Sequence, residues 1–201
     1  EHTLQIISES DDSNITAENI ILATGSKPIE LPGLPFDEKL LLSSNGALRI
    51  EEVPNRVAVI GAGAVGLELG SVWSRLGSKV TICEALTEFL PNADDAISKE
   101  ALKVFSKQGL NIHLGTEVKS LELVKNHVRM ALSNKELGDL EVDKVIFAVG
   151  RKPASEGLFD QNLGIELEGQ GFVKVNEFCQ TDVQNIYAIG DLVRGPMLAH
   201  K

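Results

Sequence analysis

Three glycines, Gly61, Gly63 and Gly66, constrain this chain more than any other feature. They form G-x-G-x-x-G inside V-A-V-I-G-A-G-A-V-G-L-E-L-G, residues 57–70, directly after an apolar run at 57–60. This context predicts a buried strand, a sharp turn and a helix, then a second strand over 79–83 that ends at Glu84. Each glycine meets a separate need. Gly61 allows the tight turn, Gly63 lets the backbone approach a pyrophosphate with no Cβ in the way, and Gly66 permits close helix–strand packing. The helix carries Val65, Leu69, Val72, Trp73 and Leu76 on one predicted buried face, and Gly77 stops it. Its free N–H groups and positive end suit a diphosphate. Gly61, Ala62, Gly63, Ala64, Val65, Gly66 and Leu67 are therefore the candidate dinucleotide-binding turn.

Glu84 lies 18 positions after Gly66. A carboxylate there can accept both ribose hydroxyls of an adenosine, whereas a 2′-phosphate would meet a like charge at a cost of about 1 kcal/mol or more. No Arg or Lys occurs between Glu84 and Pro91 to receive such a phosphate, so the pattern favours NAD over NADP. Glu68, expected in the first turn of the helix, serves either as a charge opposite the helix dipole or as a contact to the nicotinamide end. Gly150, in G-R-K-P at 150–153, is either a plain turn glycine or a close passage for the cofactor.

Further short apolar runs end in glycine at Gly25, Gly150 and Gly190. Their lack of polar alternation fits strands buried on both faces of a parallel sheet. A second helix is predicted from near Ala93, with Asp94 and Asp95 at its positive end, Ile97, Ala101, Val104 and Phe105 facing inward, and Gly109 as its stop. Antiparallel pairing is expected at 3–7 with a polar turn at 11–14, and again from Val118 to about Leu140 with turns at 125–126 and 133–134. Residues 29–39, rich in proline, read as a linker. E-N-I-I-L-A-T-G-S-K-P at 18–28 aligns with D-K-V-I-F-A-V-G-R-K-P at 143–153, either because buried strands that end in a turn read alike or because two related nucleotide-binding domains are present. The expected architecture is α/β, a Rossmann-like doubly wound, mainly parallel sheet with helices on one side and a β-meander on the other. Partial strands of a second domain accompany it.

Asp191 follows the last apolar run in N-I-Y-A-I-G-D, and the chain continues through Gly195-Pro196 to M-L-A-H-K at 197–201. At a strand's C-terminal end, Asp191 fits a polyol ligand and a helix cap equally well. The net charge of −10, from 29 acidic and 19 basic residues, argues against nucleic acid and against an anionic membrane surface. No apolar run reaches the ~18 residues needed to cross a bilayer. Cys83 and Cys179 form neither a C-x-x-C pair nor a zinc pattern, and His2, His113 and His127 lack metal-ligand spacing, so no metal is expected. Packed, reduced thiols suit a cytosol-like compartment. The chain begins at Glu1 without a Met, which we read as the start of a segment of a longer polypeptide.

Taken together, G-A-G-A-V-G-L-E-L-G with Glu84, A-T-G-S, A-V-G-R-K-P and A-I-G-D…G-P-M-L-A-H-K resemble the dihydrolipoyl (dihydrolipoamide) dehydrogenases, a family of FAD- and NAD-dependent disulfide oxidoreductases. The last motif best separates this family from glutathione and mercuric reductases. The resemblance extends over essentially the whole chain but only the middle of the family's polypeptide. It implies that residues 61–68 hold NAD, with Glu68 near the nicotinamide, Glu84 on the adenosine ribose, Val118 along the adenine and Gly150 near the nicotinamide. It further implies that Thr24, Gly25 and Ser26 touch FAD, that Asp191 binds its ribityl chain, and that Met197, Leu198, Ala199 and His200 line its isoalloxazine. Ala154 departs from the family's usual Asn at that position.

The family's first G-x-G-x-x-G, its C-x-x-x-x-C redox pair and its C-terminal His–Glu base are absent from this sequence. The resemblance thus implies a fragment with no catalytic residue of its own, inactive alone. Its expected segments are 1–50, the tail of an FAD-binding domain and a linker; 51–152, the NAD-binding domain; and 153–201, a return to the FAD domain. The full-length relative is expected to be a homodimer in a 2-oxo-acid dehydrogenase complex, in the cytoplasm or the mitochondrial matrix. The alternatives are another flavin disulfide reductase, an NADH oxidase-like enzyme, or a non-catalytic NAD-binding module.

Overall fold

A computed structural model describes residues 2–8 and 12–198. In chain order the first strands are β1 (His2–Ile6), β2 (Ser13–Ala17), β3 (Ile20–Leu22), β4 (Ser26–Pro28), β5 (Leu41–Leu42), β6 (Arg56–Ile60), β7 (Lys79–Cys83) and β8 (Asn111–His113). They are followed by β9 (Val118–Val124), β10 (His127–Leu132), β11 (Leu140–Val142), β12 (Lys144–Phe147), β13 (Arg151–Pro153), β14 (Leu167–Glu168), β15 (Phe172–Val173) and β16 (Ile186–Ala188). Helix α1 spans Ala64–Arg75 and α2 spans Asp95–Lys107. The chain divides into one unit at Pro28–Gly150 and another made of Glu1–Lys27 with Arg151–Lys201.

The Pro28–Gly150 unit is built on a five-stranded sheet in the order β5-β12-β6-β7-β8, parallel throughout. Successive side chains on a strand point to opposite faces. Val57, Val59, Val80, Ile82 and Ile146 accordingly join Leu67, Leu69 and Trp73 of α1, with Ala101, Leu102 and Phe105 of α2 packed alongside. Ala58, Ile60, Val145 and Phe147 point the other way and join Val128, Met130 and Val142. Those three residues come from the antiparallel meander β11-β10-β9. The expected three layers are therefore present. Arg129 ties the outer face of the meander together, reaching Glu122 and Glu141 at 3.3 Å each.

The helices start and stop where their caps dictate, but their buried faces differ from the periodic reading. Asp94 caps α2 by accepting from the Ala96 N–H at 2.9 Å, and Gly109 ends the turn at φ +95. Ile97 and Val104 are exposed. Ser98 is buried instead, where its hydroxyl donates to the Leu90 carbonyl at 3.1 Å. On α1, Val65, Val72 and Leu76 are exposed, while Gly66, Leu67, Leu69, Gly70 and Trp73 face the sheet.

Residues 29–39 are packed rather than free. Leu31, Leu34 and Phe36 lie against the meander-side core, and the Phe36 ring meets Phe147 edge-on at 5.3 Å. Leu41 and Leu42 add an edge strand to the sheet, and the compact unit that contains it begins at Pro28. That unit ends at Gly150.

Asp37 fastens this segment by accepting from the N–H groups of Lys39, Leu40 and Leu41 at 2.8, 2.7 and 2.7 Å. Partial burial pushes its pKa up, but those three donors and Lys144 outweigh it and hold the carboxyl below the ordinary value of 3.8. A depressed folded-state pKa stabilises the fold above the unfolded-state value, and this contribution is lost as pH falls through the folded value. Asp37→Asn is expected to lower Tm by a few degrees at neutral pH, with the two proteins converging below about pH 3 in thermal melts.

In the other unit, β1 and β2 form the expected antiparallel hairpin, although Ser13 and Asn14, expected in the turn, lie within β2, and Asp11 lies outside the described residues. β3 and β16 pair in parallel, and β14 pairs with β15. Ile20, Leu22, Val173, Ile186, Ala188, Leu192 and Val193 form its core. Ile21 is 63% exposed, so β3 is covered on one face only.

The internal repeat has a structural counterpart. β4 and β13, its second strands, pair with each other. The Ile29 N–H donates to the Gly150 carbonyl at 3.1 Å, and the Ala154 N–H donates to the Gly25 carbonyl at 2.9 Å. Residues 29 and 154 are equivalent in the repeat, as are 25 and 150, so the two bonds are reciprocal. Among the described residues, no helix is long and apolar enough to cross a membrane, and no cluster of three His, Cys, Asp or Glu could hold a metal.

Candidate functional site

The glycine turn sits where the sheet order reverses, between the C-terminal ends of β6 and β12. Open parallel sheets bind ligands at such a point. Gly61 has φ +104, which L side chains rarely adopt. A Cβ there would also lie 2.5 Å from the Ala148 carbonyl oxygen. A Cβ on Gly66 would lie 2.1 Å from the Gly61 carbonyl oxygen and 3.2 Å from the Ala148 Cβ. Both positions admit hydrogen alone. Gly63 differs, because nothing lies within 4 Å of where its Cβ would stand. The space in front of Gly63 is therefore open.

Gly63 is the N-cap of α1 and offers no side-chain cap. The Gly63 carbonyl accepts the first helical bond from Leu67 at 3.0 Å. The N–H groups of Ala64, Val65 and Gly66 find no acceptor among the described residues, and no acidic side chain lies in the first turn. Bare donors at the positive end of a helix, beside an open cradle, are the arrangement an anionic diphosphate fits.

Glu84 stands beside this cradle, half-buried. Its carboxylate accepts from the Ala62 N–H at 2.7 Å through one oxygen and from the Leu86 N–H at 2.9 Å through the other. Each oxygen keeps lone-pair capacity for one more donor. The backbone around Glu84 is fixed by neighbouring strands: its N–H donates to the His113 carbonyl at 2.9 Å, and its carbonyl accepts from Thr116 at 2.8 Å. The acid expected to meet a ribose thus also binds the turn that would hold the diphosphate.

The other expected residues are placed as follows. Glu68 is exposed and lies in the second turn of α1, because the helix begins at Ala64; the first-turn placement is corrected. Val118 opens β9, half-buried against the meander-side core. Gly150 is exposed at φ +124. Cys83 is buried at the end of β7, where burial pushes its thiol up to about 11, an inert packed group. Two residues were missed: Ala148, whose backbone walls the glycine turn, and Gly70, where a Cβ would come within 3.1 Å of the Ile82 side chain. The wider G-A-G-A-V-G-L-E-L-G run already contained the signal for Gly70.

A second cluster forms in the other unit. Ser26 donates through its hydroxyl to Asp191 Oδ2 at 2.6 Å. The Thr24 hydroxyl donates to the Ala154 carbonyl at 3.0 Å. Asp191 lies inside a short 3₁₀ turn, Gly190–Leu192, whose N-cap is Ile189, so Asp191 is not the cap. Gly25 at φ +74 and Gly190 at φ +68 both have open space where a Cβ would stand. Arg151 joins the cluster, donating from Nε to the Ser26 hydroxyl and from Nη2 to the Ser26 carbonyl, both at 2.7 Å. Met197 is half-buried and Leu198 exposed. Ala199 and His200 lie outside the described residues.

Comparison with known proteins gives the following. The family described as pyridine nucleotide-disulphide oxidoreductase matches residues 1–201. A dihydrolipoyl dehydrogenase of Cupriavidus necator is 47% identical over 93% of this chain and 40% of its own length. A dihydrolipoamide dehydrogenase of Chaetomium thermophilum is 41% identical over 100% of this chain and 41% of its own. Among solved structures, the Cu(II) complex of the HOCl-induced flavoprotein disulfide reductase RclA from Escherichia coli superposes with a TM-score of 0.88 at 30% identity, covering 99% of this chain and 45% of that one. The chain thus spans about two-fifths of the length of the curated relatives it matches.

Proposed function

The chain belongs to the pyridine nucleotide-disulphide oxidoreductase family, and from that premise we propose that it is the NAD-binding portion of a flavoprotein that oxidises dihydrolipoamide to lipoamide and reduces NAD+ to NADH. The unit Pro28–Gly150 holds the dinucleotide, and the other unit supplies part of the FAD wall. The single observation that carries this reading is the open cradle at Gly63, with three unpaired N–H groups on one side and the Glu84 carboxylate on the other.

In this reading Ala64, Val65 and Gly66 hold the diphosphate, and Glu84 accepts the ribose hydroxyls and repels a 2′-phosphate. Glu68 and Gly150 border the nicotinamide end, and Val118 lies along the adenine. Thr24, Gly25, Ser26 and Asp191 hold the flavin's polyol, whose hydroxyls suit a carboxylate acceptor. Met197 to His200 border the flavin ring. When bound, FAD supplies the two-electron relay between a dithiol–disulfide pair and the nicotinamide. The redox cysteines and the base come from the remainder of the protein. The full-length protein works as a homodimer within a 2-oxo-acid dehydrogenase complex, in the cytoplasm or the mitochondrial matrix.

The test compares the full-length protein with the isolated 201-residue chain in dihydrolipoamide-dependent NADH production, followed by absorbance. Activity is expected from the full-length protein only. Turnover by the isolated chain overturns the assignment of the catalytic groups to missing segments. A full-length protein that uses NADH with another disulfide but ignores dihydrolipoamide belongs to a different flavin disulfide reductase.

A further inference from the structure

Ser26 and Arg151 occupy the same position in the two copies of the internal repeat, immediately after Gly25 and Gly150. They bond to each other. Arg151 Nε donates to the Ser26 hydroxyl and Nη2 to the Ser26 carbonyl, so the guanidinium grips one residue through two atoms at once. The Ser26 hydroxyl accepts from Arg151 Nε and gives its single proton to Asp191 Oδ2 at 2.6 Å. The three groups form a directed chain: a cation donates to a hydroxyl, which donates to a carboxylate. Donors in such a chain polarise one another and strengthen each bond.

We infer that Arg151 is a positioning residue for the Asp191 carboxylate, acting through the Ser26 hydroxyl. Without the guanidinium, the serine hydroxyl can rotate and Asp191 loses its fixed donor. With it, Oδ2 is held by protein, and Oδ1 has no hydrogen-bond donor among the described residues. Oδ1 is therefore the oxygen left for a ligand hydroxyl. Gly190 and Gly25, on either side, leave open space for a polyol chain to come close. The inference rests on the reading that Asp191 binds the flavin's polyol, and it adds to that reading the device that aims the carboxylate. Lysine could not replace Arg151, because a single ammonium lacks the planar fork that reaches a hydroxyl and a carbonyl together.

The experiment uses the full-length flavoprotein, and its readout is FAD affinity by flavin fluorescence during apoprotein reconstitution, with no turnover needed. Arg151→Met and Ser26→Ala are each expected to weaken FAD binding by about tenfold, the scale of one charge-assisted hydrogen bond. The double variant should lose little more than either single one, because both break the same chain. Arg151→Lys should not restore affinity. Asp191→Ala should lose FAD most severely. If Asp191→Ala binds FAD like wild type, the polyol reading itself fails. If Asp191→Ala is weakened while Arg151→Met and Ser26→Ala bind as wild type, the relay fails and the polyol reading stands. Additive losses in the double variant also overturn the relay. Should Arg151→Met not fold, Arg151→Lys, which keeps the charge but loses the two-atom fork, decides the question: FAD affinity like wild type overturns the relay, and a loss of about tenfold supports it.

Discussion

Gly66→Ala is expected to abolish NADH binding and to destabilise the protein by about 1–3 kcal/mol, the usual cost of forcing a methyl into a filled site. The methyl carbon would stand 2.1 Å from the Gly61 carbonyl oxygen, which is backbone and cannot rotate away. The helix must move off the strand, carrying with it the Ala64, Val65 and Gly66 N–H groups. Gly61→Ala should behave alike, since it adds a clash of 2.5 Å to an unfavourable φ. Gly63→Ala is the discriminating partner. With open space around it, the methyl costs the fold little, yet it enters the cradle. Melting temperature should be nearly unchanged while NADH affinity falls by at least about tenfold, from loss of 1.4 kcal/mol or more of diphosphate contact. If Gly63→Ala binds NADH like wild type in a fluorescence titration, the diphosphate does not lie there.

Glu84→Arg should invert or close the preference for NADH over NADPH, with NADH affinity falling by about tenfold or more. Two effects add. The ribose loses a carboxylate acceptor, and the glycine turn loses a bond of 2.7 Å to the Ala62 N–H. Charged hydrogen bonds of this kind contribute about 1.5–3 kcal/mol each. Because the second effect loosens the seat for either cofactor, NADPH should not reach the affinity that wild type shows for NADH. Equal affinity of the wild-type protein for the two cofactors would remove Glu84 from the ribose.

The glycine turn, the parallel strands and the meander were legible because each rests on local chemistry. A turn at φ +104 needs glycine, and a strand covered on both faces needs an unbroken apolar run. Packing faces were less legible. Periodicity weighed Val65, Val72 and Leu76 of α1, which are large, and gave no weight to Gly70, which is small; the glycine motif alone places Gly66 against the strand. Closest approach to the sheet is made where side chains are absent, so the helix turned its glycines inward. In α2, Ser98 won a buried place over Ile97 because its hydroxyl had a carbonyl to reach. The prolines at 32 and 35 suggested a tether, yet three apolar residues between 31 and 36 were enough to anchor it. Arg151 as a member of the second cluster was invisible, since only the fold brings residue 151 to residue 26.

On the central strand β6, odd and even positions serve different neighbours: Val57 and Val59 lie with the helices, Ala58 and Ile60 with the meander. The number of a residue on this strand is thus an address. Variation at 58 and 60 can be absorbed by compensating change at Val128 or Met130, out of reach of the helix that seats the ligand. Variation at 57 and 59 has no such shelter, because its partners, Leu67 and Leu69, sit on that helix itself. Lineages that diverge in sequence should therefore drift faster on the meander side of this sheet than on the other.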